Sequence, residues 1–302
     1  MPLITSLKGR KINSYIHSTW MLIALVIVLI IPISIGIGLV FKSWSLLSSD
    51  SIVTLLFSSS WKPMSGHFGF WPFIASSIII TFFAILIAGF ISFFSVIYLT
   101  QYAPPLFIRI VQPIIDILAG IPSVVYGVWG IIAIVPWVQD TVAPAFGVYS
   151  SGYCTLSAIL VLAIMIIPFV LNLLIEIFGT IPIALTEASL SLGATRWQTI
   201  KFVILKKAFP GIVSTMVLGV ARAFGETIAV LMVAGNVVAS PKSLFDPAYP
   251  LPALIANNYG EMMSIPKYDA ALMFAALLLF VVVLIFNLFA RVLIVRLEKK
   301  YY

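Results

Sequence analysis

Apolar residues dominate this chain in long blocks, and six of those blocks are long enough to cross a bilayer. Trp20 to Phe41 carries no charge. As a helix it reaches about 33 Å, enough for a hydrocarbon layer of about 30 Å. Five more blocks follow: Trp71 to Thr100, about Ile117 to Val138, about Gly152 to Phe178, about Ala208 to Val238 and about Ala270 to Val295. The pattern predicts an all-α, polytopic membrane protein with six transmembrane helices. Lys8, Arg10 and Lys11 precede the first block as they would in a signal peptide. The block is long for such a segment and no small-x-small cleavage site follows, which predicts an uncleaved anchor.

Composition changes little in that picture. With 62% hydrophobic and 9% charged residues, the chain is neither a soluble domain nor a disordered one. Three regions follow: 1–70 with the first helix and an outer loop, 71–295 as the transmembrane core with a cytoplasmic loop at 179–207, and 296–302 as a tail. The net charge of +7 reads as topology rather than as a nucleic-acid surface. With the N-terminus inside, Lys8, Arg10, Lys11, Arg109, Arg196, Lys201, Lys206, Lys207, Arg291, Arg296, Lys299 and Lys300 fall on the cytoplasmic side, and only Lys42, Lys62, Lys242 and Lys267 fall outside. Both termini are therefore expected in the cytoplasm. The single Cys154 forms no intramolecular disulfide.

The loops differ in character. Trp44, Trp61 and Trp71 are expected to mark the outer interface. After Pro104 and Pro105, LFIRIVQPII predicts an amphipathic helix along the inner surface. Ile121 to Trp137 is interrupted by Pro122, Gly127, Gly130 and Pro136, which suits kinks, ordinary packing or the lining of a path. LPALIANNYGEMM, from Leu251, predicts a helix lying on the outer face and open to a soluble partner.

The organising stretch is Thr186 to Asn236. Pro182 suits the start of a helix, and Leu185, Ala188, Ser189 and Leu192 recur on one face before Gly193 interrupts. A short helix, a glycine hinge and a second helix fit either a plug for a groove on a cytoplasmic protein or a surface connector. Further on, Arg222 and Glu226 stand four apart inside an apolar span. On an unbroken helix they would pair. Ionisable groups at such a depth mark pathways more often than they lock helices. A guanidinium fork matches a tetrahedral oxyanion, with Glu226 as its counter-ion in the empty state. An ionised Glu226 would also accept a hydrogen bond from a protonated phosphate oxygen, which sulfate lacks.

These residues resemble known families. Glu187-Ala188-Ser189, then Gly193, then Val203-Ile204-Leu205 resembles the EAA loop of ABC importer permeases, with Ser189 in place of the second Ala and Lys206 in place of the usual Pro. The departure at Lys206, with Pro210 following, predicts an altered start to the fifth span. Ala221 to Asn236 (ARAFGETIAVLMVAGN), Ile121 to Gly130 (IPSVVYGVWG) and Leu254 to Met262 (LIANNYGEM) resemble phosphate-specific permeases of the PstC type. The resemblance implies the type I ABC importer permease (MetI-like) fold. It implies ATPase coupling through Glu187, Ala188, Ser189 and Gly193, and a substrate pathway at Arg222, Glu226 and Thr227. It implies as partners a PstA-type permease, two copies of a PstB-type ATPase and a PstS-type binding protein outside. ATP would be used by the ATPase, whose dimerisation would draw the coupling loops together.

No GxxxxGK[ST], HExxH, CxxC or GxSxG occurs, so the sequence suggests no ATPase, metal site or hydrolase of its own. Permeases for sulfate or molybdate, a membrane enzyme acting on lipid phosphates and a free-standing channel are the competing readings.

Overall fold

The computed structural model describes residues 7–260 and 266–301. Glu261 and Met262, at the end of the LIANNYGEM stretch, lie outside the described residues, as do the side chains of Lys8, Arg10, Lys11, Lys299 and Lys300. Among the described residues six helices are long and apolar enough to cross a membrane: Tyr15–Leu47, Trp71–Gln101, Ser123–Ala145, Thr155–Gly179, Arg196–Gly225 and Lys267–Arg296. They are spans 1 to 6 below.

Spans 2 and 4 form the centre, joined along their length and flanked by spans 3 and 5. Small residues let them approach: Ala84 and Ala88 of span 2 and Ala158 and Ala163 of span 4 are almost fully buried. The Ser92 hydroxyl crosses between them to the Ile167 carbonyl at 3.2 Å. Span 1 packs on span 6, and the most apolar stretch of span 1 buries none of its residues.

The bounds of spans 3 and 5 move at both ends, span 3 ending at Ala145 rather than about Val138. Ile117 to Gly120 belong to the inner-surface helix, Pro105–Gly120, and span 3 begins after the extended pair Ile121 and Pro122. Pro122 fixes that break, because the residue ahead of a proline avoids helical geometry. Span 3 itself widens into π turns at Gly130–Ile134 and Val138–Val142, each just ahead of a proline, Pro136 and Pro144. Proline removes a helical donor, so the kinks expected from this region take that form. Span 5 begins at Arg196 rather than Ala208 and ends at Gly225 rather than Val238.

Two outer-loop expectations are corrected. Trp61 is not an interface ring: it starts a hairpin with Phe68 opposite it, and Phe68, Phe70, Phe73 and Tyr268 meet it edge-on at 4.9–5.9 Å. Trp44 and Trp71 are exposed, as an interface position requires. Helix Leu251–Asn258 does not lie on the outer face. Leu251, Pro252, Ala253 and Leu254 are buried, and the helix tucks between spans 2 and 6. Span 2 receives it with two hydroxyls. Tyr249 N–H donates to Ser76 Oγ at 3.3 Å and Leu251 N–H to Ser77 Oγ at 2.8 Å, while the same hydroxyls donate to the Pro72 and Phe73 carbonyls. The first N–H groups of a helix have no partner within it, so the serines fill a real vacancy.

Ser77→Ala leaves the Leu251 N–H buried without an acceptor. The expected result is a loss of about 1–3 kcal/mol, measured by thermal unfolding of the purified complex in detergent.

Candidate functional site

Span 5 stops one residue before Glu226. Glu226 is extended, with φ −68° and ψ 127°, and a short helix, Ile228–Leu231, resumes after Thr227. The chain then turns back through Gly235 and Asn236, whose φ of 50° is left-handed. Asn236 holds that turn with its Nδ2, donating to the Leu231 carbonyl at 2.8 Å, while its N–H donates to the Ala248 carbonyl at 3.0 Å. Asparagine tolerates this conformation better than most residues. The apolar block expected to cross as a single fifth helix is thus a helix, a break and a buried re-entrant turn.

The re-entrant piece is clamped on the near side by span 3. A Cβ on Gly127 would stand 2.6 Å from Met232 Sδ and 3.2 Å from Ala229 Cα, so a larger residue would require Met232 to move and the two segments to separate slightly. Tyr126, beside it, donates its hydroxyl to the Leu118 carbonyl at 2.8 Å and ties span 3 to the end of the inner-surface helix. The sequence singled out Gly127 but not Tyr126.

The break separates Arg222 from Glu226. Arg222 occupies the last turn of span 5 and is exposed in the isolated chain. Its guanidinium lies over the Phe169 ring of span 4, 4.3 Å from the centroid, with Tyr126 within electrostatic reach. Glu226 turns the other way, into a niche lined by Ser77, Thr81, Leu162 and Pro250, where its Oε1 accepts from Ala229 N–H at 3.3 Å. The expected Arg222–Glu226 pair is therefore absent among the contacts of the described residues. Its physical reason is Gly225 to Thr227: leaving helical geometry takes the two side chains off a common face. The helix C-terminus, which carries partial negative charge, and the aromatic face take the place of the expected counter-ion. Thr227 donates its hydroxyl to the Gly225 carbonyl at 3.2 Å, one of the groups freed by the break.

The loop at 179–207 forms a short helix, a glycine turn and the start of a second helix. Pro182 precedes helix Ile183–Ser191, and Gly193, at φ +85°, reverses the chain. Thr195 and Gln198 then cap span 5 reciprocally: Thr195 Oγ1 accepts from Gln198 N–H and Gln198 Oε1 from Thr195 N–H. Helix Ile183–Ser191 buries none of its residues, and Ile183 and Leu192 are 74% and 89% exposed. Glu187 and Ala188 lie on it, and Ser189 reaches Thr199. Span 5 opens with a π turn at Ile200–Ile204, after which the helix runs on through Pro210.

Glu226→Ala removes the acceptor at the start of Ile228–Leu231 and is expected to lower stability by about 1 kcal/mol. Glu226→Gln keeps an acceptor oxygen there and should melt close to wild type, a difference that thermal unfolding resolves.

The family described as binding-protein-dependent transport system inner membrane component matches residues 97–300. The phosphate transport system permease protein PstC of Pasteurella multocida is 37% identical over 277 residues, covering 87% of this chain and 86% of its own length. The probable ABC transporter permease protein YqgH of Bacillus subtilis is 35% identical, covering 86% of this chain and 84% of its own. A probable PstC from Methanocaldococcus jannaschii is also 35% identical, covering 79% of each chain. A solved bacterial alginate ABC transporter superposes with a TM-score of 0.66 at 18% identity, over 94% of this chain and 95% of its own. The methionine transporter MetNI superposes at 0.55 with 21% identity, over 78% of this chain and 99% of its own. These two establish a shared fold, that of type I ABC importer permeases. The chain therefore belongs to the binding-protein-dependent transport system inner membrane component family, as a multi-pass permease subunit of the PstC type.

Proposed function

We propose that this chain forms one half of the membrane pathway of an ATP-driven importer of inorganic phosphate, with Arg222 as its anion-binding group. The observation that carries the reading is the state of that guanidinium. It sits at a helix break beside an aromatic face, exposed, and no protein acceptor occupies its N–H donors among the contacts of the described residues. A planar fork so presented suits a tetrahedral oxyanion bidentately. Relatives named as PstC phosphate permeases, such as those of Pasteurella multocida and Haemophilus influenzae at 37% and 33% identity, support phosphate over other oxyanions.

The other half of the pathway comes from a homologous PstA-type permease. Two PstB-type ATPases sit below, each pair of cytoplasmic faces meeting a loop such as Ile183–Ser191, and a PstS-type binding protein delivers phosphate outside. Both termini lie in the cytoplasm, in keeping with the distribution of Lys and Arg. ATP is bound and hydrolysed by the partner subunits. Glu226 and Thr227 act at the same level of the membrane by holding the break open beside Arg222, with one acceptor and one donor already committed to the backbone.

The test is ATP-dependent uptake of labelled phosphate by vesicles holding the whole complex. Arg222→Gln is expected to lower uptake at least tenfold while the complex still assembles, and excess sulfate or molybdate is expected to leave wild-type uptake unchanged. Full uptake by the mutant would reduce Arg222 to a packing residue. Competition by sulfate or molybdate would reassign the substrate.

A further inference from the structure

The cytoplasmic loop contains a contact that the pathway does not use. Ser189 stands where the EAA pattern has its second alanine, and its hydroxyl lies 2.9 Å from that of Thr199. The two belong to different helices, Ser189 to Ile183–Ser191 and Thr199 to the first turns of Arg196–Gly225. Thr199 is 1% exposed, with its N–H donating to the Thr195 carbonyl at 2.9 Å. Just after it, Ile200 and Ile204 are buried in the core at 2% and 1% exposure. One member of the pair is thus anchored in the membrane domain.

The other member is not. Helix Ile183–Ser191 buries no residue of its own, so apolar packing within the chain does little to fix its position. What holds it is backbone closure around Gly193, where Gly193 N–H donates to the Leu190 carbonyl and Ala194 N–H to the Ser189 carbonyl, together with the hydroxyl pair. A hydrogen bond to a group shielded from water is stronger than one made in water, and leaving the buried hydroxyl unpartnered is unfavourable. Beyond Thr199 the span continues through the π turn at Ile200–Ile204 and past Pro210 to Arg222 in its last turn.

We propose that Ser189 and Thr199 form a latch. It fixes the exposed cytoplasmic helix to the first turns of the helix that ends at Arg222, so that displacement of one displaces the other. Ser189 is a positioning residue in this scheme; it touches neither substrate nor nucleotide. The proposal rests on the reading of the chain as an ATP-driven permease.

The test uses the full complex in proteoliposomes, with phosphate uptake and ATP hydrolysis measured in parallel for wild type, Ser189→Ala, Thr199→Val, the double mutant and Ser189→Thr. Either single substitution is expected to lower the phosphate moved per ATP by about fivefold, the equilibrium worth of one hydrogen bond. The double mutant should lose no more than the singles, and Ser189→Thr, which keeps the hydroxyl, should stay near wild type. Unchanged ratios in both singles, or losses that multiply in the double, would overturn the latch. Amide hydrogen exchange on the same complexes supplies a second readout. Residues 183–191 should exchange faster in Ser189→Ala while residues 205–225 do not change, and equal exchange in both segments would also overturn it. A wild-type complex that hydrolyses ATP without moving phosphate would instead defeat the substrate reading, and the exchange comparison would still decide the latch.

Discussion

In hydrocarbon no water is present to satisfy a backbone N–H or C=O, and each one left unpaired costs several kcal/mol. That constraint governs the region around Arg222, because a helix that stops inside the membrane frees donors and acceptors at both sides of its break. Here the freed groups are met locally. The Glu226 carboxylate takes the Ala229 N–H, the Thr227 hydroxyl gives to the Gly225 carbonyl, and Asn236 gives its side-chain amide to the Leu231 carbonyl. The Ala234 carbonyl and Asn236 N–H are met by the N–H and carbonyl of Ala248, in an isolated bridge. Polar residues that look like a transport motif in one dimension are therefore also the means by which an interrupted helix survives. The motif performs both tasks with few side chains, and Arg222 is the one member of it left with its donors unoccupied.

The rest of the fold supports that interruption from several directions. Span 3 presses Gly127 against the re-entrant turn, span 4 offers Phe169 to the guanidinium, and span 2 offers Ser76 and Ser77 to the segment that follows the turn. Span 1 takes no part, packing on span 6 with its apolar stretch open to its surroundings.

Much of this was legible in the sequence, for physical reasons that differ by element. Spans 2, 4 and 6 were readable to within a few residues because long uncharged apolar runs have one stable form in a bilayer. The loop at 179–207 was readable because Pro182 and Gly193 are local devices that act through their own backbone, whereas the Thr195–Gln198 cap emerged only in the structure. The break after Gly225 was not readable. Ile228 to Val238 is as apolar as a true span, and hydropathy does not separate a buried re-entrant turn from a crossing helix. The pairing of Arg222 with Glu226 failed with it, since spacing of four means proximity only while the helix lasts. The burial of Leu251–Asn258 was hidden for a related reason: the serines of span 2 that accept the N–H groups of Tyr249 and Leu251 are more than a hundred and fifty positions away. The hydroxyl pair of Ser189 and Thr199 was likewise hidden: Ser189 stood out as a departure from the EAA pattern, but nothing in the sequence pointed to Thr199 as its partner.

The aromatic cluster around Trp61 has a spectroscopic consequence. Of the seven tryptophans, Trp20, Trp44, Trp71, Trp129, Trp137 and Trp197 are exposed in the single chain, whereas Trp61 is surrounded edge-on by four other rings. An indole locked among neighbouring aromatics in fixed geometry gives strong near-ultraviolet circular dichroism, and one free to rotate gives little. The Trp61 cluster thus carries an optical signature of its own, beside the smaller one expected of Trp71, which stacks on Phe57 at 5.8 Å, and its order can be followed by light in the purified chain without any added label.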